Sequence, residues 1–78
     1  MAAEISVGLI AIGSGLAIGL SAIAAGMAES TIGAAAVGAM AEKEEMFGKG
    51  LLLTVIPETL VLFGLLVAIL ILNLAKGA

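Results

Sequence analysis

Two glutamates stand in stretches that are otherwise apolar, and they are the residues of this sequence best suited to do chemistry. Glu58 is the one charge among the 26 residues from 50 to 75, and Glu29 directly follows 24 charge-free residues, 5 to 28. A charge at membrane depth costs roughly 2.5–3.5 kcal/mol on insertion scales, so such a residue is a functional hypothesis by default. A carboxyl group at that depth can hold a proton or coordinate a hard cation.

The two glutamates are predicted to lie side by side. They are symmetric about the middle of the charged run 42–45, which falls between Lys43 and Glu44. In an antiparallel hairpin folded there, both are about fourteen residues, or roughly 21 Å, from the turn and level with each other. Three hydroxyl groups and one proline lie close to the two glutamates in the sequence and are expected to shape the site, and they belong to Ser30, Thr54, Thr59 and Pro57.

A level pair of carboxyl groups needs a positive partner. Two adjacent carboxylates in a low-dielectric site cannot both ionise unaided. The chain has no Arg, and its lysines, Lys43, Lys49 and Lys76, are near the predicted turn or the chain end. The pair must therefore hold a proton, hold a cation, or meet a positive charge from another protein. With no His or Lys to activate Ser30 or Thr59, the pattern indicates an ion site and no catalytic one.

The elements that position the pair are predicted to be two membrane-spanning helices. The chain has 78 residues, is 63% hydrophobic and has no Cys, which is too apolar for a soluble domain of this length. About 20 apolar residues suffice to span a bilayer as a helix. A signal peptide is disfavoured, because the first apolar run is too long and lacks a basic start. Nucleic-acid binding is not expected, because there is no basic patch.

We therefore expect an all-α membrane protein with a single two-helix antiparallel hairpin over residues 1–78. Its first helix runs from about 4 to 41, its polar turn from about 42 to 45, and its second helix from about 46 to 76. Pro57 lies inside the second helix, where it removes one backbone donor and displaces the carbonyl of Leu53. The sequence leaves open whether this breaks the helix or only kinks it. Lysine placement slightly favours a cytoplasmic turn.

Small residues recur along the first helix in two rows with a step of seven. In lipid, small residues let helix backbones approach closely, and glycine in a helix costs about 1 kcal/mol relative to alanine, so the rows need a packing reason. A single hairpin has one internal seam, so a second row requires another copy of the chain. The glycines expected to pack in this way are Gly8, Gly15, Gly19, Gly26 and Gly33.

These features together resemble the c subunit, or proteolipid, of rotary ATP synthases over nearly the whole chain. The resemblance is carried by the glycine-rich first helix, the short polar turn and the carboxylate midway along the second helix. The turn sequence Ala-Glu-Lys-Glu-Glu-Met-Phe-Gly-Lys-Gly and the later Pro-Glu-Thr are similar to archaeal-type members. The Arg-Gln-Pro turn usual in bacterial and organellar F-type members is absent.

The resemblance implies a homo-oligomeric ring of hairpins, with first helices inside, in the cell membrane of an archaeon or bacterium. Glu58 matches the carboxylate that carries H⁺ or Na⁺, and Glu29 and Thr59 match positions of sodium-type sites. Backbone oxygen near Ile56 or Val55 completes such a site, and no organic cofactor is implied. An arginine of the stator a-type subunit would displace the ion. The central stalk would contact the turn at Glu42, Lys43, Glu44 and Glu45.

A different class of function remains open from the residues alone. A small structural or pore-forming hairpin, with Glu29 and Glu58 lining water, would also account for the small-residue rows. It would not account for two level carboxyl groups beside a proline and hydroxyls. The choice between H⁺ and Na⁺ also stays open, because two carboxyls can share a proton or, with hydroxyls, surround a cation.

Overall fold

The chain folds into a long helical hairpin. The computed structural model describes residues 1–77, in which α1 spans Ala2–Glu42, α2 spans Phe47–Val55 and α3 spans Glu58–Asn73. Short 3₁₀ turns cover Glu44–Met46 and Leu74–Gly77, and the described residues contain no β-strand. The α1 helix forms the first arm of the hairpin, while α2 and α3 together form the second arm.

The chain reverses direction within the charged run. Helix α1 ends when Lys43 adopts an extended conformation, with φ −141° and ψ 111°. Its amide still donates to the carbonyl of Ala39 at 2.9 Å, and the Met46 amide donates to the carbonyl of Lys43 at 3.0 Å. The residues expected at the polar turn, Glu42 to Glu45, are all exposed. The turn is therefore tight and carries its charges outward.

The second arm is interrupted at Pro57. Its dihedral angles, φ −58° and ψ −20°, stay in the helical region, but the hydrogen-bond pattern changes. The amides of Thr59 and Leu60 donate to the carbonyls of Ile56 and Pro57, both at 3.0 Å. These bonds reach back three residues, whereas a regular α-helix reaches back four. The sequence prediction of one helix from about 46 to 76 thus becomes two α-helices that meet at the proline.

The seam between the arms is built from small residues. Ala25 and Ala68 are the buried apolar side chains, at 2% and 4% exposure, and Ser14 is buried at 5%. Ser14 donates its hydroxyl hydrogen to the carbonyl of Ala68 at 2.7 Å, which links α1 to α3. Gly50 and Gly64 are also buried on the second arm. Small side chains let the helices approach closely.

Most of the glycines in the two rows of the first helix do not line this seam. Apart from its own helix backbone, a Cβ placed at four of these glycines would meet no atom of the described chain within 4 Å. At Gly33 it would lie 3.9 Å from the Thr54 methyl. The outward-facing glycines remain available to other chains, and they are Gly8, Gly15, Gly19 and Gly26.

Both arms are long and apolar enough to cross a membrane, over Ala2–Glu42 and Glu44–Lys76. Large apolar side chains project outward along the whole hairpin, from Ile5 on α1 to Leu74 after α3. Contiguous apolar surface of this extent is not tolerated in water by a monomeric protein, and it suits a lipid environment. The fold is an all-α hairpin with two membrane spans.

Candidate ion-binding site

The carboxyl groups of Glu29 and Glu58 meet between the arms. Glu29 projects from α1, thirteen residues before the helix ends at Glu42, and Glu58 is the first residue of α3. Their side chains are close enough for a hydrogen bond between them. Glu29 is half-buried, whereas Glu58 is exposed at the surface of the hairpin. The prediction that the two carboxyl groups lie level and adjacent is confirmed.

The two arms also face each other at the level one helical turn closer to the polar turn. There Gly33 follows Glu29 by four residues, and Thr54 precedes Glu58 by four. A Cβ at Gly33 would lie 3.9 Å from the Thr54 methyl carbon, which is ordinary van der Waals contact. Glycine at this position lets the threonine pack against α1. The contact places a half-buried hydroxyl group one turn from the carboxyl pair.

The hydroxyl groups around the pair differ in their partners. Thr59 donates to the carbonyl of Ile56 at 2.8 Å, and Thr54 donates to the carbonyl of Gly50 at 2.7 Å. Because each hydroxyl uses its hydrogen on its own arm, its oxygen lone pairs remain free to accept a hydrogen bond or bind a cation. Ser30, which the sequence placed beside the site, is exposed on α1.

The proline leaves backbone oxygen atoms next to Glu58. The carbonyl of Leu53 has no α-helical donor, because Pro57 lacks an N–H. The carbonyl of Val55 is not the acceptor of the Thr59 amide, which donates to Ile56 instead. The Ile56 carbonyl oxygen accepts hydrogen bonds from both the amide and the hydroxyl of Thr59. It therefore lies 2.8 Å from the Thr59 hydroxyl oxygen, which is also of a type that can bind a cation.

The arrangement is rich in acceptors and poor in donors. The Oε1 atom of Glu29 is buried and has no hydrogen-bond partner among residues 1–77. If both carboxyl groups are ionised, neither can donate to the other, and a buried acceptor without a donor costs roughly 1–3 kcal/mol. A proton shared by Glu29 and Glu58, or a cation between them, removes that cost. Carboxyl, hydroxyl and carbonyl oxygens are the ligands that hard cations prefer.

The sequence interpretation missed the residues that hold the two arms together, which are Ser14, Ser21, Gly50, Gly64 and Ala68. Two signals could have found them. The serines are seven residues apart, and the two glycines are fourteen apart on an arm otherwise made of bulky residues. Multiples of seven return to nearly the same face of a helix, so each pair indicates one seam-facing stripe.

The fold and the paired carboxyl groups define a class of membrane hairpin with acidic residues held between its arms. Residues 12–71 match the family described as the C subunit of ATP synthase. This match covers more than half of the chain. The chain therefore belongs to the ATP synthase C-subunit family.

Curated relatives agree with this assignment. A-type ATP synthase subunit K of Methanocaldococcus jannaschii is 46% identical over 66 residues, which are 85% of this chain and 30% of the relative. A-type ATP synthase subunit K of Sulfolobus acidocaldarius is 48% identical over 63 residues, 81% of this chain and 62% of the relative. The c subunit of the V-type proton ATPase of Candida tropicalis is 41% identical over 64 residues, 82% and 40% respectively. The chain thus spans between about a third and three fifths of the length of these relatives.

Proposed function

We propose that this chain is a rotor-ring subunit of a rotary ATP synthase or ATPase, which carries H⁺ or Na⁺ on Glu58. The observation that carries the proposal is the meeting of Glu29 and Glu58 between two apolar arms. Membership of the ATP synthase C-subunit family supports the same function. The chain itself catalyses nothing in this proposal, and ATP chemistry belongs to other subunits.

The energetics of Glu58 explain how ion binding drives movement. The side chain is exposed at the surface of the hairpin, where it faces lipid or a neighbouring protein. A loaded carboxyl group is neutral and can face lipid, whereas an empty one is charged and is costly there. An empty Glu58 is therefore stable only opposite a cation. Moving one charge across the membrane potential is worth about 2.3 kcal/mol per 100 mV, which biases loading to one side and release to the other.

The partners follow from this mechanism. Identical copies form a ring, in which the outward glycines of α1 pack against neighbouring helices. An arginine of the stator a-type subunit displaces the ion from Glu58. Central-stalk subunits contact the exposed turn residues, which are Glu42, Lys43, Glu44 and Glu45. The ring lies in the cell membrane of an archaeon or bacterium with the turn on the cytoplasmic side, and lipid covers the outer arm.

The ligands of the ion come from both arms. In the sodium form, Glu29, Glu58 and Thr59 supply side-chain oxygens, and Ile56 or Val55 supplies a backbone oxygen. The 2.8 Å separation between the Thr59 hydroxyl and the Ile56 carbonyl supports these two as neighbouring ligands. In the proton form, a single proton shared by the two carboxyl groups is sufficient. Pro57, Thr54 and Ser30 shape the site without binding the ion in either form.

Carbodiimide labelling tests the function. The reagent reacts with a protonated carboxyl group in an apolar setting, so labelling should be selective for Glu58 in the membrane-embedded ring. If the site binds sodium, millimolar Na⁺ at fixed pH should slow the labelling. If it binds protons alone, Na⁺ should have no effect at any pH. Lack of reaction at Glu58 under all conditions would contradict the proposal and favour a water-filled pore.

Glu29→Gln is the matched variant for this experiment. The amide keeps the size of the side chain and one acceptor oxygen but cannot ionise. Labelling of Glu58 should persist, and in the sodium form Na⁺ should still protect it. Glu58→Gln removes the reactive group and is the negative control. Labelling that persists in Glu58→Gln would place the reactive carboxyl elsewhere.

A further inference from the structure

Two glycines of the second arm lie against small residues of α1, and the carboxyl pair lies about midway between these two contacts. On the turn side, Gly50 of α2 lies against Ala36 of α1; on the other side, Gly64 of α3 lies against Ser21. The two contacts are about fourteen residues apart on each arm, or roughly 21 Å. We refer to Ala36–Gly50 as the upper contact and Ser21–Gly64 as the lower contact.

The lower contact leaves no room for a side chain on Gly64. A Cβ placed there would lie 2.5 Å from the Ser21 hydroxyl oxygen, 2.7 Å from the Ser21 Cβ and 3.1 Å from the carbonyl oxygen of Ala17. The Ser21 hydroxyl is itself held by a 2.6 Å hydrogen bond to that carbonyl. The obstruction therefore includes backbone and a fixed side chain. Any residue larger than glycine must push α3 away from α1.

The upper contact is tight to a lesser degree. A Cβ at Gly50 would lie 3.0 Å from the Cβ of Ala36 and 3.6 Å from its Cα. Alanine at position 50 would therefore require a shift of a few tenths of an ångström. At Gly48, two residues earlier on the same helix, an added Cβ would meet no atom within 4 Å among residues 1–77. Glycine is thus required for close approach at position 50 and not at position 48.

Side chains at the level between the contacts are long, whereas those at the contacts are absent or small. Glu29 and Glu58 lie about seven residues from the nearest contact on either side. Glu58 and Gly64 lie on the same α-helix, so the spacing at the lower contact positions the Glu58 carboxyl group directly. The upper contact lies on α2 and acts across the break at Pro57, so its effect on the distance between the carboxyl groups is smaller. Glu29 is the titratable group of α1 that faces Glu58, so this distance governs how well a proton or cation is shared.

We propose that Gly64, and to a lesser extent Gly50, are positioning residues that set the separation of Glu29 and Glu58 and thereby the affinity of the site for its ion. The inference rests on the proposed ion-carrying function. In this proposal the two buried glycines of the second arm adjust the affinity of the site without touching the ion. Gly64 follows Glu58 by six residues, and Gly50 precedes it by eight.

The test compares Gly64→Ala with Gly48→Ala in the intact ring. The rate of carbodiimide labelling at Glu58 is measured across pH and across Na⁺ concentration. A misplacement of about 1 Å can slow a positioned reaction by up to about a hundredfold, and we expect ion binding between two positioned carboxyl groups to be sensitive to the same displacement. If the site binds Na⁺, Gly64→Ala should shift the Na⁺ concentration that gives half-protection by about tenfold. If Na⁺ has no effect, the variant should instead shift the proton concentration that gives half-labelling by about tenfold. Gly48→Ala should leave both unchanged.

A compensating change distinguishes positioning from general damage. Ser21→Gly removes the hydroxyl and the Cβ that obstruct Gly64→Ala, so the double variant should return the midpoint toward that of the wild type. If Gly64→Ala prevents ring assembly, Gly50→Ala, with Ala36→Gly as its compensating change, gives the same comparison with a smaller displacement.

Two outcomes separate this inference from the proposed function. If wild-type Glu58 is labelled and responds to pH or Na⁺, while assembled Gly64→Ala and Gly50→Ala give identical midpoints, the positioning role is overturned and the function stands. If wild-type Glu58 is not labelled at all, the proposed function fails, and the inference fails with it. A shift in Gly48→Ala as large as in Gly64→Ala would also overturn the inference.

Discussion

The two halves of the hairpin hold their arms together in different ways. Between the carboxyl pair and the polar turn, α1 and α2 meet at apolar contacts such as Ala36–Gly50 and Gly33–Thr54. Cavities adjoin the close contacts of both halves, of about 360 Å³ and 190 Å³ at Ala36–Gly50 and of about 260 Å³ at Ser21–Gly64. Between the pair and the chain ends, α1 and α3 are joined by the close Ser21–Gly64 contact and by the Ser14–Ala68 hydrogen bond.

The difference follows from where the chain is continuous. Near the turn, a connection of a few residues keeps the arms together, and closing so short a loop costs little entropy. At the other end, the chain does not join the arms within residues 1–77, so non-covalent contacts must hold these two ends together. In lipid the hydrophobic effect does not supply that attraction, and close packing and hydrogen bonds do. The half farther from the turn should therefore be the more sensitive to substitution.

The largest effect is expected from Ala68→Leu. Ala68 is 4% exposed and its carbonyl accepts the Ser14 hydroxyl, so a larger side chain must separate α1 from α3. Overpacking of this kind typically costs about 1–3 kcal/mol. The free energy of unfolding, measured by SDS titration in mixed micelles, should fall by that amount. Val67→Leu, at a neighbouring position that is 46% exposed, is the control and should be near neutral.

A smaller effect is expected from Ser14→Ala, which removes the hydrogen bond between the arms. Interhelical hydrogen bonds in membrane proteins average about 0.6 kcal/mol, and the variant should be destabilised by about that much in the same titration. Amide hydrogen exchange should accelerate in α3 near Ala68 and stay unchanged in α2. Equal acceleration in both helices would contradict the division of the hairpin into two unlike halves.

The smallest effect is expected from Thr54→Val in the half near the turn. The Thr54 hydroxyl donates to the carbonyl of Gly50 on its own arm, and valine keeps the methyl group that faces Gly33. Bonds of this type from a helical threonine do not add to helix stability. The free energy of unfolding should change by less than about 0.5 kcal/mol. A loss larger than that of Ser14→Ala would reverse the comparison between the halves.

The sequence was sufficient to predict the hairpin and the pairing of its acidic residues. Charges are rare enough in this chain that Glu29, Glu58 and the run from Glu42 to Glu45 define the register without any knowledge of packing. In an antiparallel pair, residues at equal distance from the turn lie at the same level, and those on the facing sides of the two helices meet. The level contacts of Glu29 with Glu58 and of Gly33 with Thr54 both follow this rule.

The seam was harder to predict, because one chain holds the small residues needed for all of its neighbours. Gly15 and Gly19 of α1 face away from the second arm, whereas Ser14 and Ser21 face it. Glycine and serine both permit close approach, so their presence alone does not tell which helix approaches. The effect of Pro57 was likewise undecided, since a proline can bend a helix with or without dividing it. Only the three-residue hydrogen bonds after it decide this.

The length of α1 has a consequence for the transmission of force. Its 41 residues match the 61 Å long axis of the hairpin, whereas a bilayer with its headgroups is about 40–45 Å thick. Membrane helices tilt by about 20° on average, which shortens the projected length by only a few ångströms. About 15 Å of paired helix therefore stands clear of the bilayer. A sideways push on that protruding portion would be delivered to the embedded portion by an unbroken helix, without a flexible joint in between.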